Sequence, residues 1–188
     1  LEKGDKIALC AKNSARWAVS FLAINTYGTV VVPILADFLP ESIDSLVAHS
    51  GSRILFTDPD MWKKLDISKM PEIVTVVSVA DFSILYTADE ATSKALADMP
   101  EMFKARYQDG VKPEDISYPV DNDKELAVIN YTSGTTSAPK GVMLRYECLS
   151  ANVEFGQKWM PSYPGDNMVS MLPMAHMYGM MFEFIYVL

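Results

Sequence analysis

The chain has 188 residues, of which 49% are hydrophobic and 21% charged, the balance of a globular protein long enough for one well-buried domain or a large part of a bigger one. Its formal net charge of −8, without any basic run, excludes nucleic acid and anionic membrane surfaces as default partners, so an anionic ligand has to be met locally. Cys10 and Cys148 lie far apart with no CxxC or Cys/His cluster, which reads as two reduced thiols in a cytoplasmic protein and not as a metal or redox pair.

A Gly4-Asp5 turn leads into residues 6–11, a short apolar run that predicts a strand. Asn13-Ser14 stand where they can cap a helix, whose buried face is Trp17, Phe21, Leu22, Ile24 and Asn25 and whose end is Gly28. Residues 29–34, rich in valine, predict a buried strand. Pro40 opens a second helix with Ile43, Leu46 and Val47 on one face and Gly51 at its end. Residues 53–57 form the next strand, Asp58-Pro59 open a short helix reaching Leu65, and residues 73–77 form another strand. Strands alternating with helices at short spacing predict an α/β fold for residues 1–77: repeated βαβ units giving a mostly parallel sheet covered by helices.

Residues 78–125 predict a helix and an acidic linker. The helix runs over residues 89–109 with Ala95, Met99, Met102 or Phe103, and Tyr107 facing inward, and the polar stretch 111–125, interrupted by Pro113 and Pro119, is a surface connection. Residues 126–188 are a third region. A strand over 126–131 delivers a loop that a strand over 141–144 receives; a helix over 146–159 and a strand over 166–172, ending at Pro173, follow. No apolar stretch is free of interruption by Pro33, Pro173, His176 or Glu183, so none has the run a membrane span needs. Because the chain opens at Leu1 without methionine, the natural start is expected to be missing, and the lack of a visible targeting signal excludes little.

The loop is the stretch with evident chemistry. Thr132, Ser133, Gly134, Thr135, Thr136 and Ser137 are followed by Ala138, Pro139, Lys140 and Gly141. Small side chains let the backbone approach a ligand, Gly134 can adopt positive φ, and successive amide N–H groups can converge on one anion while the hydroxyls and Lys140 add donors and charge. Pro139 precedes Lys140 and glycine follows it, the reverse of a Walker A loop, and the loop joins two strands where a Walker loop opens a helix. Pro139 also restricts Ala138 to extended geometry and so braces the base of the loop. A second segment, Leu172-Pro173-Met174-Ala175-His176, follows the last predicted strand. Met168, Met171, Met174, Met177 and Met180 recur at every third position, but Pro173 breaks any one helix across them. Met168 and Met171 read as core, whereas Met177 and Met180 suit either core or the lining of an apolar channel.

Residues 131–142 resemble the signature loop of the adenylate-forming superfamily of acyl-CoA synthetases, peptide-synthetase adenylation domains and luciferases. The family pattern runs Tyr-Thr-Ser-Gly-Thr-Thr-Gly-x-Pro-Lys-Gly-Val, and the one departure is Ser137, where the family carries glycine. Gly4-Asp5-Lys6-Ile7-Ala8, the Asn13, Ser14 and Trp17 set, and Gly28, Val30, Val32 and Pro33 resemble the family's opening, where they read as core and turns. Leu172, Pro173 and His176 match its Leu-Pro-x-x-His motif, which lies beside the acyl or aryl substrate and near the ATP phosphates.

The resemblance implies a two-step ligation using ATP, Mg²⁺ and coenzyme A, in which a carboxylic acid becomes an acyl-adenylate and then a thioester. It implies that Thr132, Ser133, Gly134, Thr135 and Thr136, with Ser137 beside them, bind the nucleotide phosphates. Lys140 neutralises the leaving pyrophosphate and His176 lines the substrate site, and these two form the expected catalytic set. It assigns no metal ligand here, since the family's adenine, ribose, magnesium and C-terminal lysine motifs lie later than residue 188. The chain is thus expected to be an incomplete part of the large N-terminal domain of an adenylate-forming enzyme, inactive alone, and most similar to a long-chain fatty acyl-CoA synthetase. An adenylation domain or aryl-acid ligase serving a carrier protein, and a non-catalytic nucleotide-binding module, are the other readings. Membrane association is not encoded in these residues and stays open.

Overall fold

The computed structural model describes residues 1–117, 122–132 and 140–188. Its strands are β1 (Lys6–Cys10), β2 (Val30–Pro33), β3 (Ser52–Thr57), β4 (Thr75–Ser78), β5 (Ile84–Thr87), β6 (Leu126–Thr132) and β7 (Lys140–Arg145). They form one sheet in the order β5-β4-β3-β1-β2-β6-β7. Strands β4, β3, β1, β2 and β6 run parallel, and β5 and β7 close the two edges antiparallel. The mostly parallel α/β architecture read from the alternation of elements is the one observed.

The sheet is covered on both faces because its central strands are apolar on both. Side chains alternate along β1: Ile7 and Leu9 join a cluster with Trp17, Phe21, Ile24, Val128, Met180 and Phe184, while Ala8 and Cys10 join one with Ile43, Val47, Leu55, Val76 and Tyr131. Helix α1 (Ala15–Thr26) covers the first face and α2 (Pro40–Ser50) the second. Each large side chain so buried contributes about 1.5–3 kcal/mol. The caps follow the residues that signal them. Ser14 Oγ accepts from Trp17 N at 3.1 Å, satisfying one of α1's unpaired donors. Gly51 ends α2 in the left-handed conformation at φ 65°, which a side chain would oppose.

Several expectations are corrected. Leu22 sits on the outer side of α1, exposed, while Trp17, Phe21 and Ile24 face the core. The helix after Asp58 is one turn, α3 (Pro59–Trp62), and does not reach Leu65; β4 begins at Thr75, two residues later than the apolar run suggested. Strand β5, absent from the sequence reading, lies in the region taken as helix and linker. Helix α4 (Glu90–Arg106) forms, capped by Asp89 accepting from Thr92 N at 2.7 Å, but none of its residues is buried. Met99, Met102 and Phe103 are 56%, 66% and 55% exposed, and α4 contributes no residue to either core cluster.

Helix α5 (Tyr146–Trp159) has the predicted bounds. Residues 166–172 form no strand, and Met168 and Met171, read as core, are exposed. Their place in the core goes to Met180 and Met181 in a π-helical stretch, Gly179–Phe184, where both are buried against α1 and the sheet. Among the described residues no helix is long and apolar enough to cross a membrane.

Both cysteines are free thiols. Cys10 is buried in the second core cluster and burial pushes its thiol up to about 12, whereas Cys148 is half-buried. Ellman's reagent at pH 8 is expected to titrate Cys148 in the folded protein and to reach Cys10 only after denaturant is added. Reaction of Cys10 at a rate independent of denaturant would contradict the buried central strand.

Candidate functional site

The parallel strands end at one edge of the sheet, with Cys10, Pro33, Thr57, Ser78 and Thr132 at their carboxyl ends. From β1 the chain moves to β2 on one side and then to β3 on the other, so the connections after β1 and β3 part from each other. That divergence leaves a crevice beyond the carboxyl ends, the usual ligand position in open α/β sheets. Two adjoining hollows lie there. One of about 190 Å³ is walled by Ala11, Asn13, Ala36, Pro173 and Ala175, and one of about 470 Å³ by Ala36, Asp58, Met61 and Lys64; Lys12 borders both. The Lys12 backbone N–H donates to Asp58 Oδ2 at 2.9 Å and ties the two diverging connections together.

The phosphate-loop candidate rises from the same edge. Thr132 and Lys140 face each other as the last pair of the β6–β7 ladder, both exposed, so the loop's two ends stand side by side. Ser133, Gly134, Thr135, Thr136 and Ser137, and Pro139, expected to brace the loop, lie outside the described residues. Beneath the loop's base Tyr131 is buried, and its hydroxyl lies 2.7 Å from His49 Nδ1 at the end of α2. Burial raises the Tyr131 pKa, which keeps the phenol neutral. Gly141, opposite Tyr131 in the ladder, leaves room for that ring: a Cβ there would lie 3.3 Å from Tyr131 Cε1 and 3.0 Å from Ile129 Cγ2.

The segment Leu172-Pro173-Met174-Ala175-His176 reaches this edge without being a strand, and side chains hold its backbone. Glu183 Oε2 accepts from Met171 N at 2.9 Å and Leu172 N at 3.0 Å, which takes the donors a strand ladder would need. Asn13 Nδ2 donates to the Leu172 carbonyl at 2.8 Å while Asn13 Oδ1 accepts from Met174 N at 2.7 Å. Asn130 Nδ2, from β6, donates to the Ala175 carbonyl at 3.0 Å. His176 is exposed at the end of this run, its Nδ1 accepting from Tyr178 N at 3.3 Å. No hydrogen bond joins His176 to Thr132 or Lys140 among the described residues; what the fold brings together is the two strand ends and the segment bearing His176, through Asn130.

Asn13, Asn130, Glu183 and the Tyr131–His49 pair were not read as site residues from the sequence. Asn13 and Tyr131 belong to recognisable motifs, but their partners are distant in the chain. Nothing local to Asn130 or Glu183 signals a role. Among the described residues no three His, Cys, Asp or Glu side chains come together in a way that could hold a metal ion.

The close turn at Gly179 depends on its missing side chain, because a Cβ would stand 2.5 Å from the Pro173 carbonyl oxygen and 3.2 Å from Leu172 Cβ. Gly179→Ala is expected to cost about 1–3 kcal/mol, since backbone has to move, and urea unfolding would measure it. An unchanged midpoint would show that the turn has slack. The Glu183 carboxyl is held below its ordinary value of 4.5, first by the Leu172 N–H and then by the Ser170 hydroxyl and Met171 N–H. Its stabilisation is therefore complete above that value and is lost as pH falls through the lowered folded-state value. Glu183→Gln should flatten the acid limb of stability against pH below about 4.5, and an acid limb identical to the wild type would count against this bracket.

The AMP-binding enzyme family profile matches residues 1–188, the whole chain. The peroxisomal long chain acyl-CoA synthetase 7 of Arabidopsis thaliana is 29% identical over 182 residues, covering 95% of this chain and 25% of that protein. The long-chain-fatty-acid–CoA ligase of Bacillus subtilis is 26% identical over 196 residues, covering 96% of this chain and 35% of that protein. The chain thus spans about a quarter to a third of the length of the curated relatives it matches. The ATP-bound crystal structure of MatB from Rhodopseudomonas palustris superposes with a TM-score of 0.75 at 22% identity, covering 100% of this chain and 34% of that one, a likeness of fold. With the family profile matched from end to end, and with the loop flanked by β6 and β7 at the carboxyl edge of the sheet, the chain belongs to the AMP-binding enzyme family.

Proposed function

We propose that the chain supplies the phosphate-loop part of an ATP-dependent acid–thiol ligase, which converts a carboxylic acid, foremost a fatty acid, to its acyl-adenylate and passes it to coenzyme A. The observation that carries this reading is the convergence of the loop's two strand ends, Thr132 and Lys140, with the clasped segment bearing His176 at one sheet edge. The curated relatives named above support the fatty-acid choice, being long-chain acyl-CoA ligases by name. The two free thiols support a reducing, cytoplasmic setting.

In the first step a carboxylate oxygen attacks the α-phosphorus of ATP and pyrophosphate leaves. Two anions are brought together and a third is expelled, so positioning and compensating charge do most of the catalysis. The attacking carboxylate is already ionised and needs no general base. Thr132, Ser133, Gly134, Thr135, Thr136 and Ser137 hold the β- and γ-phosphates, and the Lys140 ammonium, at the far end of the loop, neutralises the departing pyrophosphate. His176 lines the acid side of the site. Mg²⁺ accompanies ATP in such chemistry, and among the described residues no three His, Cys, Asp or Glu side chains come together that could hold it.

Pyrophosphate exchange by the full-length protein with a panel of carboxylic acids tests the reading. Acid-dependent exchange, reduced about 10²–10³-fold by Lys140→Ala, is the expected outcome, the usual cost of removing a preorganised charge-stabilising group. Exchange restricted to aryl acids would move the chain to that branch. ATP binding without exchange under any acid would leave a nucleotide-binding module. The 188-residue chain alone is expected to form no acyl-adenylate, since it spans only a quarter to a third of its relatives.

A further inference from the structure

We propose that Asn13 is a positioning residue for the acid side of the site: from the loop after β1 its carboxamide clasps the backbone of Leu172 and Met174 and so fixes the run that carries His176. The inference rests on the ligase reading for the meaning of "acid side", and on geometry alone for the clasp. The two bonds are reciprocal, with Nδ2 donating to the Leu172 carbonyl at 2.8 Å and Oδ1 accepting from Met174 N at 2.7 Å. A carboxamide is the short side chain that offers one donor and one acceptor in a single plane, and because both partners are main-chain groups its orientation is unambiguous.

The clasp answers a need that the backbone cannot meet. Pro173, between the two clasped residues, has no N–H, and Glu183 already occupies the Met171 and Leu172 donors, so no ladder can align this run. Its position therefore depends on side chains reaching it from fixed elements. Asn13 is well rooted for that purpose. It stands three residues past the buried end of the central strand β1 and one before Ser14, which caps α1. It thereby transfers the position of the sheet to a segment 159 and 161 residues away in sequence. The clasp also borders the 190 Å³ hollow, whose lining includes Asn13 and Ala11 from the first loop and Pro173 and Ala175 from the held segment.

Asn13 is itself exposed and is not among the core residues, which separates holding the segment from holding the fold. Asn130 differs, since it is buried and its loss would disturb β6.

The experiment compares the full-length protein with its Asn13→Ala variant in two measurements. Amide hydrogen exchange over residues 170–178 is expected to speed up about tenfold in the variant, with a Tm within about 4 °C of the wild type. In pyrophosphate exchange the KM for the carboxylic acid is expected to rise about tenfold while the KM for ATP changes less than about twofold. Unchanged amide exchange would overturn the clasp. Faster exchange with both KM values unaltered, or with activity falling only in proportion to folded protein, would overturn the positioning role and leave Asn13 a surface tie. If the wild-type protein shows no acid-dependent pyrophosphate exchange, the ligase reading fails, and the amide-exchange comparison still decides whether Asn13 holds the segment.

Discussion

Beyond the carboxyl ends of its parallel strands this protein leans on side chains to hold its backbone, and the run that bears His176 is held in that way. Inside the sheet, ladder bonds and two apolar faces hold the chain. At the edge the main chain turns away, and side chains satisfy donors and acceptors that the ladder no longer reaches. Asn13, Asn130 and Glu183 do this for the run leading to His176, and Asp58 does it for Lys12. The edge is thus built from polar side chains rooted in rigid elements, which leaves open space between the diverging connections.

The sheet order makes this arrangement possible. Because β1 sits between β2 and β3, the connections that follow β1 and β3 part, and β6 joins parallel next to β2. The antiparallel return through β7 then places Thr132 against Lys140, so a loop rich in hydroxyls begins and ends at one point of the sheet edge. Tyr131 anchors that point from below by reaching across to His49 on α2, through space that Gly141 leaves free. Both faces of the sheet therefore contribute, α2 through His49 against Tyr131 and α1 beneath the segment bearing His176.

The same logic explains the misread stretches. Met99, Met102 and Phe103 have helical spacing, and α4 does form; whether such a stripe is covered by another element is not written in the spacing. Residues 166–172 carry a strand-like pattern, yet the Glu183 carboxylate competes for the donors that a ladder would use, and wins because it arrives on a neighbouring element. Strand β5 is short and partly exposed, and its pairing with β4 supplies what its composition does not.

What the sequence by itself determined is what depends on near neighbours: Ser14 and Gly51 at helix ends, the valine-rich β2, the bounds of α5, and a loop whose residue order marked the family. Such features arise from steric and hydrogen-bonding rules acting over a few residues, so they are legible one stretch at a time. Only the tertiary structure decided that Asn13, Asn130 and Glu183 converge on one segment, that Tyr131 bonds His49, and that Met180 rather than Met171 enters the core. These depend on which distant elements become neighbours, and that is settled by sheet order and burial acting over the whole chain.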